Sequence, residues 1–152
     1  EPQRVNVNAA IMAECEVFKT DLEQDGIKLE LNLAPDLPHW VVNETELQRA
    51  IRNLVVNAKY ALKKIENGCI KISSELYELH RLFIRITDNG CGIDKDNLNK
   101  IFDLFYTTKG MDGSGLGLAS VKKFVESSGG KISVVSQVDV GSVFSMVFPE
   151  TC

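Results

Sequence analysis

Long apolar runs are the first thing this sequence lacks: no stretch approaches the roughly 20 residues that span a bilayer, and no signal-peptide pattern opens it. Histidine is scarce, with only His39 and His80, and Cys15, Cys69, Cys91 and Cys152 stand apart without metal-ligand spacing. That excludes a zinc framework and points to reducing surroundings. Cys91, inside a glycine turn, reads as a small filler rather than a reactive thiol. Nor is there an excess of basic charge: 17 Lys and Arg against 21 Asp and Glu leave a net charge of −4, which argues against a general nucleic-acid surface. An anionic ligand would have to be met by a local feature, a lysine or a helix end. Internal repeats, low-complexity segments and linkers are also missing. What remains is 152 residues, 44% hydrophobic and 25% charged, enough for one domain with a buried core.

The periodicities divide the chain. Residues 7–23 carry Ala10, Ile11, Cys15, Phe18 and Leu22 at helical spacing, and residues 28–33 alternate, with Leu29, Leu31 and Leu33 expected on a buried face. Pro35 and Pro38 break the chain, and Trp40-Val41 leads into a helix expected over 44–65, capped by Asn43 or Thr45. That helix has the clearest stripe: Leu47, Ala50, Ile51, Leu54, Val55, Ala58, Ala61, Leu62 and Ile65. Asn53 and Asn57, four apart, share a face at the stripe's edge; Tyr60 falls beside Asn53, and Lys59 turns toward solvent. After the turn signal Asn67-Gly68, strands over 69–73 (running toward Leu76) and 82–87 should form an antiparallel hairpin. A short helix is expected over 94–101 and an aperiodic, mobile loop over 103–115. A helix to Ser128 follows, with Leu118, Val121 and Val125 inward and Gly129-Gly130 at its end, then a hairpin of 131–136 and 142–148. This order predicts a two-layer α/β sandwich, about three helices on one face of a mixed, mainly antiparallel five-stranded sheet.

Two glycine clusters carry the chemistry. Asp88-Asn-Gly-Cys-Gly-Ile93 could be an ordinary hairpin turn, but a helical pattern follows it rather than a strand. Gly90 and Gly92 would let a flat ring approach the backbone, and Asp88 could accept from an exocyclic amine such as that of adenine. Gly113-Ser-Gly-Leu-Gly-Leu118 opens a helix, where N–H groups bind anions. It is no dinucleotide fingerprint, since Leu118 stands at the third glycine, and no P-loop, since Leu116 stands at the lysine. A flexible linker is disfavoured by the amphipathic helix that follows. Asn53 and Asn57 are either polar residues flanking a core stripe or neutral carboxamides able to ligate Mg²⁺ beside a triphosphate. Lys109 is a candidate phosphate partner, and Phe102 and Phe105 either anchor the loop in the core or touch the nucleotide.

In this order the motifs resemble the ATP-binding catalytic domain of two-component sensor histidine kinases, in the superfamily of gyrase B, Hsp90 and MutL. Asn53-Leu-Val-Val-Asn57-Ala58 is similar to the N box and Asp88 to Ile93 to the first glycine box. Ile101-Phe-Asp-Leu-Phe-Tyr-Thr-Thr-Lys109 is similar to the F box, Gly113 to Leu118 to the second glycine box, and Gly141-Ser-Val-Phe144 to the closing glycine-threonine-phenylalanine segment. The resemblance implies that ATP binds with Mg²⁺ on Asn57, that Asn53 helps hold that cluster with Tyr60 beside it, and that Asp88 binds the adenine amine directly and through water. Gly90, Gly92 and Ile93 would shape the base pocket. Phe105, Thr108, Lys109, Gly113, Ser114, Gly115, Leu116, Gly117 and Leu118 would belong to a lid over the phosphates, of the short, nitrogen-regulator type.

The sequence departs from the family pattern in three places. Tyr60 stands where some relatives have lysine, Leu104 where proline is frequent, and Ser142-Val143 where two threonines are usual. Asn53 occupies the place of the glutamate that activates water in ATP-hydrolysing relatives. The resemblance therefore implies a domain that holds ATP, hydrolyses it poorly and passes the γ-phosphoryl elsewhere. Neither His39 nor His80 lies in a phosphoacceptor context, so the chain (1–152) is expected to be a catalytic domain without its own acceptor, the histidine-bearing dimerisation helices lying before Glu1. The implied partners are that dimerisation domain, in a homodimeric parent, and a response-regulator receiver domain, with no nucleic acid and no membrane contact, in the cytoplasm. The alternative is an anti-sigma-like serine kinase or regulatory module of the same fold; Asn53 disfavours a gyrase-type ATPase fragment.

Overall fold

The computed structural model describes residues 1–78, 80–103 and 117–150. Its elements run β1 (Gln3–Val5), α1 (Val7–Gln24), β2 (Lys28–Asn32), β3 (Trp40–Val42), α2 (Glu44–Ala61), β4 (Cys69–Tyr77), β5 (Arg81–Asp88), α3 (Gly117–Ser127), β6 (Lys131–Gln137) and β7 (Gly141–Pro149). Among the described residues five strands form one sheet in the order β2-β4-β5-β7-β6, with β2–β4 parallel and the other pairs antiparallel. The three helices among them cover one face, which makes the two-layer α/β sandwich that the sequence predicts. None of these helices is long and apolar enough to cross a membrane.

Each layer contributes one apolar surface. The helix-facing side of the sheet is built in rungs across the strands: Leu76–Leu82–Phe148, then Ser74–Ile84–Met146–Ile132, then Ile72–Ile86–Phe144–Val134. Against it α2 buries Leu47, Ala50, Ile51, Leu54, Val55 and Ala58, each large side chain contributing about 1.5–3 kcal/mol. Both long helices begin on an asparagine cap: Asn6 Oδ1 accepts from the Ala9 N–H and Asn43 Oδ1 from the Glu46 N–H. Arg52 of α2 then reaches the buried Glu14 of α1, with Nη2 2.7 Å from Oε1.

Several expectations need correction. Leu31 is 43% exposed rather than buried, because β2 is an edge strand with a neighbour on one side only. Trp40 to Val42 form a strand, paired antiparallel with β1 in a small second sheet, and Trp40 Nε1 donates to the Pro149 carbonyl at the end of β7. Helix α2 stops at Ala61, short of Ile65: the Leu62 N–H bonds to both Ala58 and Lys59, the turn tightens, and Leu62 curls into the core while Ile65 is exposed. Residues 94–101 are no helix. Hydrogen bonds from Asn97 to Asp94, Lys100 to Asn97 and Asp103 to Lys100 step by three, giving successive turns that deliver Ile101 to the core. The loop expected over 103–115 lies, apart from Asp103, outside the described residues.

Candidate functional site

Strand β5 points Leu82, Ile84, Ile86 and then Asp88 toward the helices, so the carboxylate is the polar end of an apolar series. The rung across it reads Ile70–Asp88–Ser142–Ser136, polar on three adjacent strands where the rungs behind are almost wholly apolar. Asp88 and Ser142 are each only 4% exposed. Burial pushes the Asp88 carboxyl up from its ordinary value, while the N–H groups of Gly90 and Ser142 oppose that rise by favouring the ionised form. The Gly90 N–H donates to Asp88 Oδ1 at 2.8 Å. A buried carboxylate with so few donors is a place for a ligand amine.

The turn after Asp88 is clamped from two sides. The Cys91 N–H donates to the Ala61 carbonyl at the end of α2, and the Cys91 carbonyl accepts from the Asp139 N–H in the β6–β7 turn. Asn89 ties the same turn to the start of β4 and the residues before it, accepting from the Cys69 N–H and donating to the Asn67 carbonyl. A Cβ on Gly90 would stand 2.6 Å from the Ala61 oxygen; one on Gly92, whose φ is +76°, would overlap the Gln137 carbonyl. Both glycines thus have a packing reason, beside the approach of a ring expected from sequence. The Ile93 N–H donates to Ser136 Oγ at 2.8 Å.

On α2, Asn53, Asn57 and Ala61 follow one another at four-residue steps, a ridge of about 12 Å along the axis. One end meets the Asp88 turn through Ala61. At the other, Asn53 Nδ2 donates to the carbonyl of Gly117, the first residue of α3, at a long 3.4 Å. Asn53 and Asn57 are half-buried, and so is Tyr60, whose ring lies 5.7 Å beneath Lys63 Nζ. Lys59 does not simply face solvent: its Nζ lies 3.5 Å from Asp25 and 4.0 Å from Asp21, tying α2 to the end of α1. A groove of about 450 Å³ lined by Val56, Lys59, Tyr60 and Lys63 with Asp25 and Ile27 opens on that flank of α2, away from the asparagine ridge.

The structure therefore gathers Asp88, Gly90, Gly92 and Ile93 at one end of the ridge, and Asn53, Gly117 and the half-buried Leu118 toward the other. Phe102 packs edge-on against Phe144 with ring centres 6.3 Å apart, which is the core reading of that residue. Phe105, Thr108, Lys109, Gly113, Ser114, Gly115 and Leu116 lie outside the described residues. Ser136 was missed from sequence, and Ser142 was noted only as a departure; the two-residue alternation of β6 and β7, which puts both on the core face, was the signal. Among the described residues no group of three or more His, Cys, Asp or Glu side chains could hold a metal. The amide oxygens of Asn57 and Asn53 suit a hard cation whose remaining ligands are phosphate and water, and not a metal that needs imidazole or thiolate.

Residues 42–151 match the family described as histidine kinase-, DNA gyrase B-, and HSP90-like ATPase. The chain is 33% identical over 147 residues to the sensor histidine kinase ZraS of Salmonella typhimurium, covering 97% of this chain and 31% of ZraS. It is 32% identical over 147 residues to the signal transduction histidine-protein kinase AtoS of Escherichia coli, covering 97% of this chain and 24% of AtoS. It thus spans less than a third of these relatives' length. Among solved structures, the nucleotide-free catalytic domain of histidine kinase ThkA superposes with a TM-score of 0.89 at 29% identity, over 100% of this chain and 99% of that one. ThkA in complex with the response regulator TrrA gives 0.83 at 28% identity, over 99% of this chain and 42% of that one.

Proposed function

The chain belongs to the family of histidine kinase-, DNA gyrase B- and HSP90-like ATPases, and from that premise we propose that it is the catalytic domain of a sensor histidine kinase. It binds Mg-ATP and donates the γ-phosphoryl to a histidine on a separate dimerisation domain, for relay to a response regulator. The observation that carries this reading is the buried Asp88 carboxylate at the polar end of the sheet, joined through Ala61 to the ridge that bears Asn57 and Asn53. Asp88 accepts from the amine of adenine, and Gly90, Gly92 and Ile93 form the wall beside the base. Asn57, supported by Asn53, offers an amide oxygen to Mg²⁺. That ion, when bound, neutralises phosphate charge and orients the triphosphate. The same motif order assigns Lys109 and residues 113–118 to the phosphates, and of these Gly117 and Leu118 lie among the described residues.

Asn53 supplies no carboxylate to activate water, so ATP is held with little hydrolysis. The kinase sequence spans less than a third of relatives such as ZraS, and we place the histidine-bearing helices of a homodimeric, cytoplasmic kinase core upstream of this domain.

Calorimetric titration with a non-hydrolysable ATP analogue, with and without Mg²⁺, tests the reading. Asp88→Asn should weaken binding at least about tenfold under both conditions, as expected for losing a charged hydrogen-bond acceptor. Asn57→Ala should remove the gain that Mg²⁺ gives. Normal binding by either variant would sink the site.

A further inference from the structure

Ser136 lies on β6, on the far side of Ser142 from Asp88, and does not border the ridge of α2. Its hydroxyl has one proton and two lone pairs, and three groups stand within hydrogen-bonding distance of it. The Ile93 N–H donates to it at 2.8 Å, the Gly141 carbonyl lies 3.1 Å away, and Ser142 Oγ 2.7 Å away. The N–H can only donate and the carbonyl can only accept. All three contacts are hydrogen bonds at once in a single arrangement: Ser136 gives its proton to Gly141 and accepts from both Ile93 and Ser142.

The proton of Ser142 is then committed to Ser136. A serine beside a carboxylate would ordinarily donate to it, yet this one, paired with Asp88 across the β5–β7 rung and equally buried, turns its proton the other way. What Ser142 has left to offer is lone pairs, next to the lone pairs of Asp88. Two adjacent acceptors suit a group with two N–H bonds and oppose a carbonyl oxygen.

We propose that Ser136 is a positioning residue for base selection: by fixing Ser142 as an acceptor, it makes the end of the pocket specific for a 6-amino purine against a 6-keto purine. This rests on the reading of Asp88 as the base-binding carboxylate. Ser136 itself need not touch the nucleotide. Without it Ser142 is free to donate, either to a 6-keto oxygen or to Asp88 in competition with the amine, and both weaken the preference.

The experiment compares ATP with inosine triphosphate, which carries a keto oxygen in place of the 6-amino group, by calorimetric titration of the whole chain at fixed Mg²⁺. Ser136→Ala should lower the ATP-to-ITP affinity ratio about tenfold, the scale set by mispairing one buried polar group. Ser136→Thr, which keeps the hydroxyl, should retain the wild-type ratio, and Ser142→Ala should lower it. An unchanged ratio in Ser136→Ala, with both nucleotides weakened equally, would mean that Ser136 only anchors Ile93 and would overturn the proposal. So would an equal fall in Ser136→Thr. If Ser136→Ala does not fold, an unchanged ratio in Ser142→Ala overturns it instead. Failure of the wild-type chain to bind either nucleotide would remove the underlying site reading, and is distinguishable because it needs no variant.

Discussion

Ala61 and Cys91 are joined by a 3.1 Å hydrogen bond from the Cys91 N–H to the Ala61 carbonyl, which brings the end of α2 against the turn that follows Asp88. The approach leaves no room for a side chain on Gly90, whose Cβ would stand 2.6 Å from the same oxygen. Gly90→Ala should cost about 1–3 kcal/mol through forced displacement of backbone. Gly92→Ala should cost more, since overlap with Gln137 is added to a φ of +76°. Gly26 provides the comparison: its φ is +71° but nothing lies within 4 Å of its Cβ position, so Gly26→Ala should cost only the conformational strain, about 1 kcal/mol. Thermal melts of the three variants check the order; a Gly92→Ala no worse than Gly26→Ala would contradict it.

Asn53 separates structure from function. Its bond to Gly117, among the described residues, is long, so Asn53→Ala should change stability by less than about 1 kcal/mol. The same variant should weaken Mg-dependent binding of an ATP analogue by about tenfold. Urea denaturation and calorimetry on one preparation measure both. Large destabilisation with unaltered binding would reverse the assignment.

Arg52 and Glu14 test how α2 is seated. The Glu14 side chain is 5% exposed and that of Arg52 52%, so the arginine's charge is partly screened while the carboxylate depends on it. Arg52→Ala should cost roughly 1–3 kcal/mol, less than for a fully buried pair. Glu14→Gln in that background should recover part of the loss. A double-mutant cycle by chemical denaturation gives the coupling, and zero coupling would show that the pair does not seat the helix.

Asp88 sets a pH dependence of stability. Its pKa is raised in the folded chain by burial, so folding takes up a proton there. The stability it contributes is fully present below its unfolded value and is lost as pH rises through the raised one. Asp88→Asn lacks this titration. The melting temperature of the variant minus that of the wild type should therefore increase as pH rises above the ordinary carboxylate range, about 4. A difference that is flat or falls over that rise would show that the carboxyl is not raised.

Much of the fold could be read from the chain because α2, β5 and β7 carry long, unambiguous periods, and Asn53, Asn57 and Asp88 sit in register with them. Leu31 was misplaced because alternation says which face a residue shares, not whether a strand is at an edge. β1 and β3, three residues each, are too short to show a period. Residues 94–101 begin with acidic residues and end on Ile101, as a helix might, and only hydrogen bonds stepping by three reveal turns. Ser136 and Ser142 lay in core phase on their strands, but a polar residue in an apolar period is easily taken for a strand end. Their place in the rung is read only against Asp88, one strand from Ser142 and two from Ser136.

The bond between Ala61 and Cys91 makes helix α2 a ruler. Its last carbonyl fixes where the turn after Asp88 lies, the proposed base end, and Asn57 and Asn53 are marks about one and two turns back. Inserting a single residue between Asn57 and Ala61 would move those marks about 1.5 Å and turn them about 100° relative to the Asp88 turn. The length of this segment, and not only its composition, is then held close to a whole number of turns: a chain that gained one alanine at position 59 could keep Leu47 to Ala58 seated in the core or keep the bond from Ala61 to Cys91, but not both.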